Sequence, residues 1–122
     1  MRLVRSFKYA FAGIQSCFGS EPNFRIHSFL AIVALLLSLV LNLAAIEWIA
    51  VCFCIAFVIT MEILNTAVEK LCDIVHKEMH PGIKKVKDIA AGAVLFAAIL
   101  SAITGAVIFL PKIYHFIKTV KS

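Results

Sequence analysis

The sequence has few charged residues for its length. Asp, Glu, Lys and Arg make up 16% of the 122 residues, whereas apolar residues make up 62%. A soluble domain of this size would expose far too much apolar surface to water. The composition therefore predicts an all-α integral membrane protein, with room for about three spanning helices of ~20 residues and little else. We expect one domain, residues 1–122, without a separate soluble module.

Several motifs of soluble proteins are also absent from the sequence. It has no G-x-x-x-x-G-K-[ST] loop and no G-x-G-x-x-G loop, so any ATP site must be built by helices. The four cysteines form no C-x-x-C pair, and we interpret them as packing residues. The net charge of +5 comes from clusters near the predicted membrane ends, which fits headgroups and phosphates better than nucleic acid.

An amphipathic segment opens the chain. Residues 2–18 place apolar side chains on one helical face and basic side chains off it, which predicts a helix at the membrane surface. The turn-forming residues 19–23 should end this helix, with Glu21 at the bend.

Three apolar stretches follow, and we predict spans at residues 28–46, 48–74 and 89–110. A hairpin is expected between Asn42 and Trp48, because one helix through both stretches would be far longer than a hydrocarbon core of about 30 Å. The residues from His76 to Asp88 form a polar connection, in which Pro81-Gly82 is expected to stop any helix, and Pro111 is expected to end the third span.

The basic residues predict the orientation. Nine of the twelve precede the first span or surround the connection between the second and third spans, and three follow the third span. Because positive residues concentrate on the cytoplasmic side, the N-terminus and the 76–88 connection should face the cytoplasm.

Four polar residues continue the second apolar stretch at helical spacing: Glu62, Asn65, Glu69 and Asp73. They fall within an arc of roughly 80° and form an acidic stripe about 16 Å long that leaves the membrane. A carboxylate in or near hydrocarbon is costly unless something positive meets it, so this acidic stripe predicts a site for cations, protons or a cationic substrate.

Further charged residues on the same predicted membrane side extend this prediction. Glu21, Arg2, Lys87 and Asp88 could converge with the acidic stripe. Hard oxygen ligands for Mg²⁺ and cations for phosphates are what a magnesium nucleotide requires, so phosphoryl transfer is the natural chemistry. Glu62, the deepest carboxylate, stands at the depth of a lipid headgroup hydroxyl and can serve as the base.

Other interpretations stay open on the residues alone. Glu69 and Asp73 can be solvated charges at a helix end. His76 and His80 are spaced i, i+4, as in some zinc sites, but no third ligand is evident. A small membrane carrier that moves protons or cations through Glu62 is the alternative of another class.

The motifs carry a resemblance to a known family. Residues 62–69 (EILNTAVE), then Asp73, then residues 87–95 (KDIAAGAVL) resemble the prokaryotic diacylglycerol kinase family, which includes the undecaprenol kinases. Residues 21–25 (EPNFR) stand in the expected place before the first span. The resemblance covers nearly the whole chain.

The resemblance implies an ATP-dependent lipid kinase of the bacterial inner membrane, with its active site on the cytoplasmic side. It also implies a homotrimer with a surface helix and three membrane helices in each subunit, and sites shared between neighbours. Carried over by position, Glu62 is the general base, Asn65 supports it, and Glu21 and Glu69 bind Mg²⁺. The expected ATP contacts are Arg2, Tyr9, Glu78, His80, Lys87 and Asp88, with Asp73 nearby.

The expected acceptor is undecaprenol, and diacylglycerol is the alternative. Residues 24–27 (FRIH) and 90–92 (AAG) resemble the undecaprenol branch of the family. The diacylglycerol branch more often has Gln after Arg25, Ser at position 91 and a tryptophan where Gly105 stands.

Overall fold

The computed structural model describes residues 1–78 and 80–122, and the regular structure of these residues is helical. The helices are α1 (Arg2–Ser20), α2 (Pro22–Val40), α3 (Ala45–Val75) and α4 (Pro81–Lys121). Helices α2, α3 and α4 are long and apolar enough to cross a membrane. Large apolar side chains such as Phe29, Phe53 and Phe96 are exposed along them, as expected for a solvent of lipid rather than water. The chain is an all-helical membrane protein.

A single residue joins α1 to α2. α1 continues to Ser20 and α2 begins at Pro22, so only Glu21 has extended backbone, and the break is shorter than the predicted turn 19–23. Proline suits the first position of α2 because its missing N–H has no helical partner there. The Arg25 guanidinium donates to the Phe18 carbonyl at 3.1 Å across this joint, which fixes the half-buried Glu21.

The α2–α3 turn lies at residues 41–44, slightly before the expected hairpin. Asn42 has φ 51°, a left-handed conformation that asparagine tolerates well. The Glu47 carboxylate accepts a hydrogen bond from the Ala44 N–H at 2.9 Å, which caps α3 at its start. The helix ends therefore differ from the predicted spans 28–46 and 48–74, because caps set the ends whereas hydropathy sets only the approximate location.

The expectation that Pro81-Gly82 stops any helix is wrong. Pro81 is the first residue of α4, and the His80 ring caps this helix by accepting from the Gly82 N–H through Nδ1 at 3.0 Å. Proline at the first helical position removes no helical hydrogen bond. Lys84, Lys87 and Asp88 therefore lie on the first turns of a helix rather than in a loop.

The expectation that Pro111 ends the third helix is also wrong, because α4 continues through it to Lys121. An interior proline removes one hydrogen bond and costs about 3 kcal/mol in water. Membrane helices tolerate it better because neighbouring groups can satisfy the freed carbonyl. Just beyond it, the Lys112 ammonium lies 3.1 Å from Glu47, which ties α4 to the start of α3.

Helix α3 is the centre of the packing, with α2 and α4 both against it. Val51 and Val58 of α3 are buried, as are Val94 and Ala97 of α4. The Ser101 hydroxyl also donates to the Cys54 carbonyl at 3.5 Å. The central helix is therefore the one that carries the acidic stripe.

Candidate active site

Glu62 is a carboxylate enclosed by protein. It is only 3% exposed, and it lies on the part of α3 that meets α2. The neighbouring Thr66, also buried, donates its hydroxyl to the Glu62 carbonyl oxygen at 2.9 Å and so leaves the carboxylate free. The closest basic group is His27 of α2, whose Nε2 lies 3.3 Å from Glu62 Oε1. A buried carboxylate with one histidine contact has unused capacity to accept a proton.

Two more acids face the same point. The charges of Glu21, Glu69 and His27 all act on Glu62, so these three side chains lie near it. Glu21 lies at the joint between α1 and α2, and Glu69 follows Glu62 two turns along α3. Glu21 and Glu69 therefore lie near Glu62, and the three carboxylates give this region an excess of negative charge.

Asn65 joins this acidic group through Glu69. Its amide nitrogen Nδ2 donates to Glu69 Oε1 at 3.3 Å. Its oxygen Oδ1 is buried and has no hydrogen-bond partner in the described part of the chain. An unpaired buried oxygen is unfavourable and calls for a donor or a cation. Asn65 thus orients one carboxylate and presents a free oxygen beside it.

Lys87 of α4 contacts the acidic stripe on α3. Its ammonium lies 2.7 Å from Asp73 Oδ1, and the charge of Glu69 also acts on it. Asp88 has a different partner, because its carboxylate binds Lys84 at 2.7 Å on the same helix. The expected cation is therefore present at the outer end of the stripe, whereas Asp88 is engaged one turn away.

Four predicted nucleotide contacts lie apart from this group. Arg2, Tyr9, Glu78 and His80 are exposed. Within residues 1–78 and 80–122, no ion pair or hydrogen bond connects their side chains to the acidic stripe. Arg2 begins α1 and His80 directly precedes α4, and this single chain pairs none of the four side chains with the acidic stripe.

The sequence reasoning gave His27 no chemical role. A signal for one was present, because Phe24, His27, Ala31, Ala34 and Ser38 alternate at spacings of three and four residues. Such spacing marks one face of a helix, and Phe24 and Ser38 are buried on it. A histidine on that face, near the acidic stripe of the next helix, is a candidate partner for a carboxylate.

The described residues contain no ready-made metal cluster. Within 1–78 and 80–122, no group of three or more His, Cys, Asp or Glu side chains is arranged to hold a metal ion. His76 and His80, the pair considered for zinc, have ring centres 5.4 Å apart, and His80 Nδ1 already accepts from Gly82.

Comparison with known proteins identifies the family. Residues 8–109 match the model of the prokaryotic diacylglycerol kinase family. The chain is 38% identical to an undecaprenol kinase of Bacillus subtilis, over 92% of this chain and 91% of that protein. It is 39% identical to a diacylglycerol kinase of Synechocystis, over 91% of this chain and 64% of that protein. A diacylglycerol kinase of Escherichia coli is 28% identical over 84% of each chain.

The chain belongs to the prokaryotic diacylglycerol kinase family. It is a lipid kinase embedded in a membrane, as the resemblance of its motifs implied.

Proposed function

We propose that the chain is an undecaprenol kinase, which transfers the γ-phosphate of ATP to the hydroxyl of undecaprenol. Diacylglycerol is the alternative acceptor. The observation that carries the proposal is the buried Glu62, which lies near Glu21 and Glu69 and contacts His27, a residue that lines an apolar groove. A base at this place is within reach of an alcohol whose chain remains in the bilayer.

The lining of the apolar groove supports undecaprenol over diacylglycerol. The groove encloses about 250 Å³ between α2, α3 and α4, beginning at His27 and ending at Phe109. Its hydroxyl groups are engaged, because Ser101 donates to the Cys54 carbonyl and Thr104 to the Leu100 carbonyl. The two ester groups of diacylglycerol would find few free donors there, whereas a polyprenyl chain needs none.

The proposed chemistry is a single displacement at phosphorus. The lipid hydroxyl oxygen attacks the γ-phosphorus of ATP, Glu62 takes the hydroxyl proton, and the bond between the γ-phosphorus and the bridging oxygen breaks to release ADP. Glu62 suits this role because its carboxylate is shielded from water and has His27 as its one ion-pair partner among the described residues. Asn65 acts beside it by orienting Glu69 and offering its unpaired Oδ1 to the incoming groups.

The nucleotide is proposed to bind where α3 leaves the membrane. Lys87 can exchange its contact with Asp73 for a phosphate oxygen without moving far, since both partners are on the surface. The family positions Arg2, Tyr9, Glu78, His80 and Asp88 complete the proposed ATP site around it. Because His80 accepts through Nδ1, the proton of its neutral ring is on Nε2 and remains available to a nucleotide.

The residues present fit a magnesium ion between the acids and ATP. Glu21 and Glu69 supply hard carboxylate oxygens, and the unpaired Asn65 Oδ1 lies beside Glu69. When bound, Mg²⁺ would neutralise charge on the triphosphate. Since the described chain offers fewer than three clustered ligand residues, the remaining coordination would come from phosphate and water, as is usual for this ion.

The assembly is proposed to be a homotrimer with its sites on the cytoplasmic side. The distribution of basic residues supports that side. The many exposed apolar side chains leave ample surface for subunit contacts within the bilayer. The exposed apolar side chains of α1, such as Leu3, Phe7 and Phe11, support a position of this helix at the membrane surface.

A substrate comparison tests the proposed function. Purified protein in detergent should transfer labelled phosphate from ATP to undecaprenol, with a larger kcat/KM than for diacylglycerol. A larger kcat/KM for diacylglycerol would identify diacylglycerol, rather than undecaprenol, as the acceptor. Cation or proton transport without ATP consumption, and no phosphorylated lipid, would instead favour a carrier.

Mixing two variants tests whether neighbouring subunits share sites, at an ATP concentration so low that Lys87→Met alone, like Glu62→Gln alone, is nearly inactive. If Glu62 of one subunit works with Lys87 of the next, trimers that combine Glu62→Gln and Lys87→Met subunits contain one intact site each. Random mixing would then restore about a quarter of the wild-type activity. No recovery would show that each site takes both residues from one chain, as the intrachain contact of Lys87 with Asp73 allows.

A further inference from the structure

We propose that His27 is a positioning residue for the base, holding the Glu62 carboxylate in the orientation that receives the lipid hydroxyl proton. This inference rests on the proposed function. Its starting point is the 3.3 Å approach of His27 Nε2 to Glu62 Oε1 across the α2–α3 interface.

The Glu62 carboxylate needs such a partner. The last torsion of a glutamate side chain is broad, so the carboxylate turns easily unless a donor fixes it. Thr66 binds only the Glu62 backbone. Among residues 1–78 and 80–122, His27 is the only basic group in ion-pair contact with this carboxylate.

The chemistry of His27 fits the role in either protonation state. Nε2 carries a hydrogen in the imidazolium and in one neutral tautomer, so it can donate to Oε1 in both. Oε2 then remains free for the hydroxyl of the acceptor. Contacts of this kind are often long without substrate and shorten when the site is filled.

The position of His27 fits as well. It lines the mouth of the apolar groove and touches Glu62, so it lies where the proposed lipid chain ends and the hydroxyl begins. Its side chain is 22% exposed, against 4% for that of Glu62. Helix α2 holds it in place through Phe24, which is buried one turn earlier.

Substitutions that move the donor atom test this inference. The amide nitrogen of glutamine can occupy the place of Nε2, whereas that of asparagine corresponds to Nδ1 and falls short. His27→Ala and His27→Asn should therefore lower kcat about 10- to 100-fold, the usual effect of losing a hydrogen bond to a charged group. His27→Gln should stay within about threefold of wild type, and KM for lipid and ATP should change little in all three variants.

A double-variant cycle separates positioning from packing. Glu62→Asp shortens the side chain and draws the carboxylate away from His27. His27→Ala should therefore change ln kcat in the Glu62→Asp protein by less than about a third of the change that it causes in the wild type. His115→Gln at the far end of α4 is the matched control and should leave kcat unchanged.

Distinct outcomes would overturn the inference. Equal kcat in His27→Ala, His27→Gln and the wild type would contradict it. So would a kcat for His27→Asn as high as that for His27→Gln, or a change in KM without a change in kcat. If the wild-type protein phosphorylates no lipid alcohol at all, the proposed function fails first; a kinase indifferent to His27 refutes the positioning role alone.

Discussion

Replacing Glu62 with glutamine should separate catalysis from stability. The change keeps the shape of the side chain and removes its ability to take a proton. Loss of a general base typically lowers a rate by about 10²- to 10⁴-fold, which corresponds to roughly 2.7–5.4 kcal/mol in the activation free energy. We therefore expect kcat for phosphate transfer to fall by this amount, with smaller changes in KM for ATP and lipid.

The same substitution should raise the free energy of unfolding or leave it unchanged. The Glu62 side chain is 4% exposed, and its neighbours Glu21 and Glu69 repel a negative charge there. A neutral amide avoids both the desolvation of a buried carboxylate and this repulsion. Thermal unfolding in detergent should therefore occur at a temperature no lower than that of the wild type.

The assay is transfer of labelled phosphate from ATP to undecaprenol, measured beside the melting temperature of the same sample. Glu47→Gln is the matched control, since it makes the same chemical change at the other end of α3. It should keep wild-type kcat. Full activity in Glu62→Gln would refute the assignment of the base, and a large drop in melting temperature would refute the argument about its burial.

Three further predictions test other parts of the structure. Glu69→Gln should raise the Mg²⁺ concentration for half-maximal activity about tenfold, because it removes a carboxylate ligand; excess Mg²⁺ should largely restore the rate, and an unchanged titration would contradict the ligand role. Lys87→Met should raise KM for ATP about 10- to 100-fold through the lost phosphate contact, whereas the exposed Lys85→Met should not, and equal effects would point to overall charge. Glu47→Ala should lower the melting temperature, as it removes the cap on Ala44 and the partner of Lys112; an unchanged melting temperature would show that this turn contributes little.

The acidic stripe shows how far the sequence predicts the site. The spacing of Glu62, Asn65, Glu69 and Asp73 required only a continuous helix, and α3 provides it. The contact between Asn65 and Glu69 follows from their i, i+4 spacing. The approach of Glu21 to Glu62 depends instead on the angle at the α1–α2 joint, for which the predicted bend gave the location but not the direction.

The helix ends and the role of His27 were harder to predict. Hydropathy locates a span, but the caps by Glu47 and His80 decide where α3 and α4 begin. A proline was expected to stop a helix at two places, yet Pro81 starts α4 and Pro111 lies within it. His27 stands between Arg25 and Ser28 at the polar start of an apolar stretch, and its contact with Glu62 depends on how α2 packs against α3.

The charge balance of the site indicates why it needs its substrates. Four acids, Glu21, Glu62, Glu69 and Asp73, are met by His27 and Lys87 alone among the described contacts, and Lys87 contacts only the outermost of them. Such an excess is unfavourable at the edge of a membrane, where screening by water is weak. In the proposed function, a cation bound together with ATP would supply the missing positive charge, and ATP would bring the phosphate to be transferred. The electrostatic repulsion within the site and its proposed affinity for a metal-bound nucleotide therefore have the same origin.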